Sequence, residues 1–210
     1  MPKRTGELTI PAAEFKSANS QALVVKVLAG RAPRDAASPP SVFMEVELDK
    51  DSVYVQEQVI YTVRLYALGR LASGNIDEPT SNDAIIEPFG QEKKYYRMAY
   101  EQRYEVIERN YLVFPQKSGT LQIEPLTFNG VMIDSQQRRR MRVNEASEPS
   151  SLRVMPPPSE FTGNDWLPAK SLEVSETWQE DSKQIQVGDA ITRTITISAL
   201  GLLGSALPPT

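Results

Sequence analysis

Apolar and polar residues alternate with a period of two in several stretches of the chain. In Val53–Gly69, residues Val59, Tyr61, Val63, Leu65 and Ala67 fall on one side. In Ile185–Gly201, residues Ile191, Arg193, Ile195, Ile197 and Ala199 do the same. That period belongs to a strand with one face buried. Arg103–Phe114 alternates as well, setting Tyr104, Val106 and Glu108 against Glu105, Ile107 and Arg109. Strands are therefore expected near 42–48, 57–67, 83–88, 93–99, 102–113, 119–127 and 141–154. About seven short strands in roughly 110 residues suits a two-sheet sandwich. Its core is expected to include Val59, Val63, Leu65, Leu121, Ile123 and Phe128.

The patterns recur. PKRTGELTIPAAEF (Pro2–Phe15) and PQKSGTLQIEPLTF (Pro115–Phe128) share five of 14 positions: Pro2/Pro115, Gly6/Gly119, Leu8/Leu121, Ile10/Ile123 and Phe15/Phe128. Each copy is a turn closed by glycine and a strand whose Leu and Ile share a face. A second apolar strand follows, Leu23–Leu28 in one copy and Ser151–Val154 in the other. Val53–Gly69 and Ile185–Gly201 share five of 17 positions, including the Ala-Leu-Gly that ends both. The matches stand in the order that tandem copies require. The fold class expected is all-β: tandem immunoglobulin-like β-sandwich repeats, one complete and two partial. Residues 1–30 would close a preceding repeat, 31–41 form a linker and 42–154 form the complete sandwich. A Pro-rich linker over 155–170 would lead to the N-terminal part of a following repeat, 171–210. The chain is thus expected to be a piece of a longer protein, with exposed apolar faces in 2–28 and 171–210.

Composition narrows the chemistry. A net charge of −4 and a pI near 5.1 argue against nucleic acid, whose binding needs phosphates neutralised by Lys and Arg. With no cysteine and no histidine there is no disulfide, thiol nucleophile or thiolate metal site, and no Ser-His-Asp arrangement. No apolar run reaches the roughly 18–20 residues of a membrane span. The basic start, Met1–Gly6, is followed by no apolar stretch of the signal-peptide kind. The chain is read as non-enzymatic, with no catalytic residue, metal site or cofactor expected.

Several features have a functional and a plainer reading. Asp49-Lys50-Asp51 resembles the start of a cation loop, but without the Gly and distal Glu it reads as an acidic turn. Glu101, Glu105 and Glu108 could pair as carboxylates, yet on a strand Glu105 and Glu108 point opposite ways. The basic run Arg138–Arg142 could attract an acidic partner, and reads first as a solvated hairpin. Tyr95, Tyr96, Tyr100, Tyr104 and Tyr111 divide between core and a candidate binding face.

Taken together, FMEVELDKDSVYVQEQVIYTVRLY (Phe43–Tyr66), VIERNYLVFPQKSGTLQIEPLTF (Val106–Phe128), DWLPAKSLEVSETW (Asp165–Trp178) and VGDAITRTITISALGLLGSALPP (Val187–Pro209) resemble the BatD family of bacterial aerotolerance operons. The resemblance implies a periplasmic, membrane-anchored protein of tandem immunoglobulin-like domains, linked to oxygen or stress tolerance. It implies a non-catalytic scaffold or adaptor whose protein partners carry von Willebrand A domains and tetratricopeptide repeats. Membrane association would come through segments absent from this chain. It carries no catalytic residues. An A-domain partner would offer a divalent cation with an open position, which a carboxylate fills well. The Gly69–Asp83 segment, read as a loop, supplies the candidate donors Asp77, Glu78 and Asp83. A carbohydrate- or peptidoglycan-binding module is the alternative, and it requires two or three coplanar exposed aromatic rings.

Overall fold

Strands form where the alternation is strongest. The computed structural model describes residues 6–12, 14–15, 18–27, 39–133, 139–163, 165–179 and 190–207. They divide into two units, 1–40 and 41–210. The first holds β1 (Gly6–Ile10), β2 (Glu14–Phe15), β3 (Ala18–Asn19) and β4 (Leu23–Val27). β1 pairs antiparallel with β4, and β2 with β3.

The second unit begins with β5 (Val42–Leu48), β6 (Ser52–Tyr54), β7 (Val59–Ala67), β8 (Arg70–Ile76) and β9 (Ala84–Ala99). It continues through β10 (Gln102–Pro115), β11 (Gly119–Ile123), β12 (Thr127–Ile133), β13 (Arg140–Ala146) and β14 (Ser150–Met155). A last hairpin joins β15 (Ser171–Gln179) and β16 (Thr192–Leu200), and a single 3-10 turn follows at Gly204–Ala206. Among the described residues no helix is long and apolar enough to cross a membrane.

β5 to β14 make an immunoglobulin-like β-sandwich. One wall is the four-stranded sheet β5-β7-β10-β9. The other consists of two three-stranded sheets, β11-β14-β6 and β13-β12-β8. β7 is the central staple: Val59, Tyr61, Val63, Leu65 and Ala67 are all fully buried against the opposite wall. That wall contributes Val53, Ile76, Leu121, Ile123, Phe128, Met132, Leu152 and Val154. All six expected core residues therefore lie in the core between the two walls, Val59, Val63 and Leu65 from β7 and Leu121, Ile123 and Phe128 from the wall opposite. Burying a side chain of this size stabilises the fold by about 1.5–3 kcal/mol, so the alternating face of β7 alone outweighs any surface charge pair.

The second wall differs from the expected strands for a local reason. The stretches 119–127 and 141–154 are each cut in two, at Glu124-Pro125 and at Glu148-Pro149. Proline lacks the N–H a ladder needs, so both partner strands break together. Ser147 closes the gap: its N–H donates to Leu126 O and its hydroxyl accepts from the Leu126 N–H, both at 2.9 Å. Conversely, 83–88 and 93–99 fuse into β9. There the pairing with β10 shifts between Glu108/Lys93 and Asn110/Phe89, a bulge around Gly90–Glu92 that bends the strand without ending it.

Gly69–Asp83 is corrected most. Its first half is β8, paired to β12 with Gly74 directly opposite Gly130. Gly74, one of the residues that read as a loop signal, serves another purpose. The buried Phe128 ring lies over both glycines, where any Cβ would strike it. Only residues 77–83 remain between strands.

β15 and β16 pair antiparallel from Ser171/Leu200 to Gln179/Thr192. β7 and β16 end on the same device: Gly69 (φ +127°) and Gly201 (φ +86°) take backbone angles that L side chains rarely adopt. The segment before β15 is no free spacer. Trp166 Nε1–H donates to Val55 O at 2.9 Å, and its ring meets Tyr54 and Phe161 edge-on.

Candidate functional site

The four-stranded wall carries a second, smaller cluster on its outer face. Phe43, Tyr66, Tyr104 and Val106 are buried there, beside Tyr95, Leu68 and Ala99. Phe43 stacks on Tyr66 (4.3 Å between centroids, 10°) and meets Tyr104 and Tyr100 edge-on at 5.2 and 5.6 Å. Burial, with Glu45 next, pushes the Tyr66 hydroxyl up to about 12, so it stays protonated at neutral pH. It accepts from Arg97 Nη1 at 3.1 Å.

This cluster sits under the tip of the β9–β10 hairpin. β10 leaves β7 at Glu105/Ala67, while its pairing with β9 runs on to Gln102/Ala99. The overhang turns on Tyr100 and Glu101, both left-handed (φ 49° and 59°), as a tight two-residue hairpin requires. Tyr96, Met98 and Tyr100 stand 61%, 65% and 61% exposed. Arg103 lies over the Tyr96 ring, 4.1 Å from its centroid. Leu68, Gly69, Arg70, Tyr96, Arg103 and Glu105 line an open notch of about 560 Å³ beneath. The tip thus combines exposed apolar area with two guanidinium groups, a composition enriched at protein interfaces.

The tyrosines do not form a flat platform. Tyr95 pairs with Val106 and Tyr96 with Glu105, so the two rings leave opposite faces of the hairpin. Tyr104 and Tyr111 are buried. Met98, Arg70 and Arg103 complete the surface and were not singled out from the sequence; the alternation of β9 and β10 was the one available signal.

Asp77, Glu78 and Asp83 are only partly brought together. The Asp77 N–H donates to Thr127 O, and the side chains of Asp77 and Glu78 are exposed. Glu78 borders a cleft of about 370 Å³ with Asn75, Phe89, Glu92, Arg109 and Tyr111. Burial pushes the Glu92 carboxyl up, but Arg109 and then Lys94 draw it below the usual range. Asp83 is spoken for by Lys117.

The remaining candidates take their plainer readings. Asp49 Oδ1 accepts from the Ile60 N–H at 2.8 Å, and Lys50 binds Glu57 at 2.6 Å. Glu105 and Glu108 lie on opposite faces of β10. Of the basic run, Arg139, Arg140 and Arg142 are exposed at the start of β13, and Arg138 lies outside the described residues.

Glu108 ties the outer face together. It accepts from Arg64 Nε (2.9 Å) and Tyr95 Oη (2.8 Å), and Arg64 also reaches Glu47 at 2.7 Å. Burial raises its carboxyl, but the Arg64 and Tyr95 hydrogen bonds outweigh that and leave it below the usual range. A depressed folded pKa gives stability above the unfolded value that is lost as pH falls through the folded one. Glu108→Gln is therefore expected to cost about 1 kcal/mol at pH 7, the gap from wild type closing below pH ~4. Urea midpoints at pH 7 and pH 3 check this; equal gaps at both would contradict it.

No protein-family model matches the chain, and no curated protein matches it. Among solved structures it is similar to the seventh ScaB type I cohesin from Pseudobacteroides cellulosolvens, with TM-score 0.31 and 11% identity over 58% of this chain and 98% of that one. At that score the likeness adds nothing to what the strand order itself says.

Proposed function

We propose that this chain is a non-catalytic scaffold of immunoglobulin-like sandwiches that holds protein partners through the tip of the β9–β10 hairpin. The observation that carries the reading is the overhang itself, with Tyr96 and Met98 exposed on one face of the hairpin and the packed aromatic cluster, met by Tyr100, on the other. The base fixes the tip before a partner arrives, which lowers the ordering cost of binding. The sequence resemblance to the BatD family supplies the setting: a membrane-anchored periplasmic complex, with von Willebrand A-domain and tetratricopeptide-repeat partners. Asp77 and Glu78, exposed at the end of β8, are the carboxylates offered to the A domain's cation; Asp83, held by Lys117, contributes less.

The test is capture of membrane proteins on the full-length protein, in wild-type form and as Tyr96→Ser/Met98→Ser. The expected result is recovery of an A-domain protein by the wild type and at least tenfold less by the variant. Asp77→Asn/Glu78→Gln is expected to abolish the magnesium dependence of that binding. Recovery of no A-domain protein, or equal recovery by the hairpin variant, would overturn the reading; binding indifferent to chelator would remove the two carboxylates from it.

A further inference from the structure

The bulge in β9 sets Gly90, Gln91 and Glu92 against the single residue Arg109 of β10. It opens a cleft of about 370 Å³ between the two walls of the sandwich. Asn75 lines the cleft from β8, Phe89, Gln91 and Glu92 line it from β9, and the buried Tyr111 closes it at the bottom. The cleft lies at mid-height on the flank, where Asn110 of β10 faces Thr62 of β7. The chain enters the sandwich beside Ala67 and leaves it beside Val55, at the two ends. Every lining residue therefore belongs to the complete sandwich.

The polar groups are held in place. Arg109 Nε donates to Glu92 Oε2 at 2.9 Å, and its Nη1 donates to Ile76 O at 3.4 Å, which ties the bulge to β8 across the cleft. Charge is matched: Glu92 pairs with Arg109 and Lys94, and Glu78 at the rim brings the count to two carboxylates against two cations. A charged ligand would gain nothing from such a lining, whereas a neutral one with many hydroxyls would. Amides donate and accept, a carboxylate accepts and a guanidinium donates, so both roles of a hydroxyl can be met. Arg109 draws the Glu92 carboxyl below the usual range, so at neutral pH it accepts hydrogen bonds and has no proton to give.

Phe89 stands 47% exposed at the mouth. A bulge with a proline also protects an edge strand from pairing with another sheet, and that accounts for Pro88 and Gly90. It does not account for an exposed ring, which an edge kept free of partners has no use for. A ring beside polar groups is what a sugar needs, since its C–H face is apolar and its hydroxyls lie around the edge. One ring in a cleft takes one sugar unit, where several coplanar rings would match a long flat surface.

We propose that the bulge cleft binds a neutral saccharide, with Phe89 stacked on a sugar ring and Asn75, Gln91 and Glu92 hydrogen-bonded to its hydroxyls. This site is separate from the hairpin tip and does not rest on partner binding there.

Titration of the 210-residue chain with maltotetraose, cellotetraose and chitotetraose, followed by amide NMR shifts, tests it. At least one of the three is expected to bind at millimolar concentration or below and to shift the amides of Asn75 and Gly90–Glu92. Phe89→Ala, a change at an exposed position, should weaken that binding about tenfold, and Gln91→Ala less. Phe89→Trp should retain or strengthen it, which a merely structural role for the phenylalanine would not require. Tyr96→Ser/Met98→Ser should leave it unchanged, and so should high salt, since no net charge is involved. Absence of binding by all three sugars, shifts outside the cleft, full affinity in Phe89→Ala, or loss of binding in high salt or in the hairpin variant would each overturn the proposal.

Discussion

Gly130→Ala is expected to destabilise the sandwich by about 3 kcal/mol, the upper end of what a single added methyl costs in a packed site. Gly130 and Gly74 face each other across β12 and β8, and the Phe128 ring lies on both. A Cβ on Gly130 would collide with Phe128 Cζ and stand 2.8 Å from the Ser73 carbonyl oxygen. The ring is enclosed in the core, and the carbonyl belongs to the backbone of β8, so neither can yield without opening the pair. Phe128→Ala should cost about 3–5 kcal/mol by leaving a cavity over two glycines. The two substitutions share one volume, so the double variant should cost clearly less than their sum. Urea unfolding of the four proteins measures this. Additive losses, or a Gly130→Ala loss below about 1 kcal/mol, would show that the ring does not depend on the missing Cβ.

That pair of glycines also shows where sequence reading stops. β7 and β16 were legible because alternation is a property of the strand itself, and so were the buried residues along β7. β8 was not, because Arg70–Ile76 is composed like a turn and its glycine answers a ring that lies 54 positions further on. The breaks at Pro125 and Pro149 were present in the sequence, but Leu126 and Phe128 kept the apolar signal running past the first of them. Within the candidate site, the tyrosines of β9 and β10 were visible as a group. Which of them is exposed depends on where β7 ends relative to β10, and that is a matter of register. Asp83 looked as available as Asp77 because its partner, Lys117, is 34 residues away. The repeat was legible as similarity, but only the pairings show that each copied strand also keeps its partner.

Phe43→Ala is expected to cost about 4 kcal/mol, and to do so unevenly. Most core truncations on this sheet would open a space between the two walls and weaken the sandwich as a whole. Phe43 instead points outward from β5, stacked on Tyr66 and edge-on to Tyr104 and Tyr100. Those contacts join β5 and β7 to the overhang, which beyond Glu105 has no strand pairing except within itself. Two residues of its turn are in the left-handed region, a conformation that persists where surrounding packing enforces it. Without the Phe43 ring, the turn loses the aromatic partner of Tyr100. Hydrogen exchange should therefore quicken most at residues 97–104, by tenfold or more, with the amides of β7 and β14 following only the global loss. The apolar tip would still be present in composition, but no longer held in place. Partner binding should then fall although Tyr96 and Met98 are untouched, because the tip must be ordered at the moment of binding. Uniform acceleration across the sandwich would instead mean that Phe43 is an ordinary core residue and that the tip keeps its own shape.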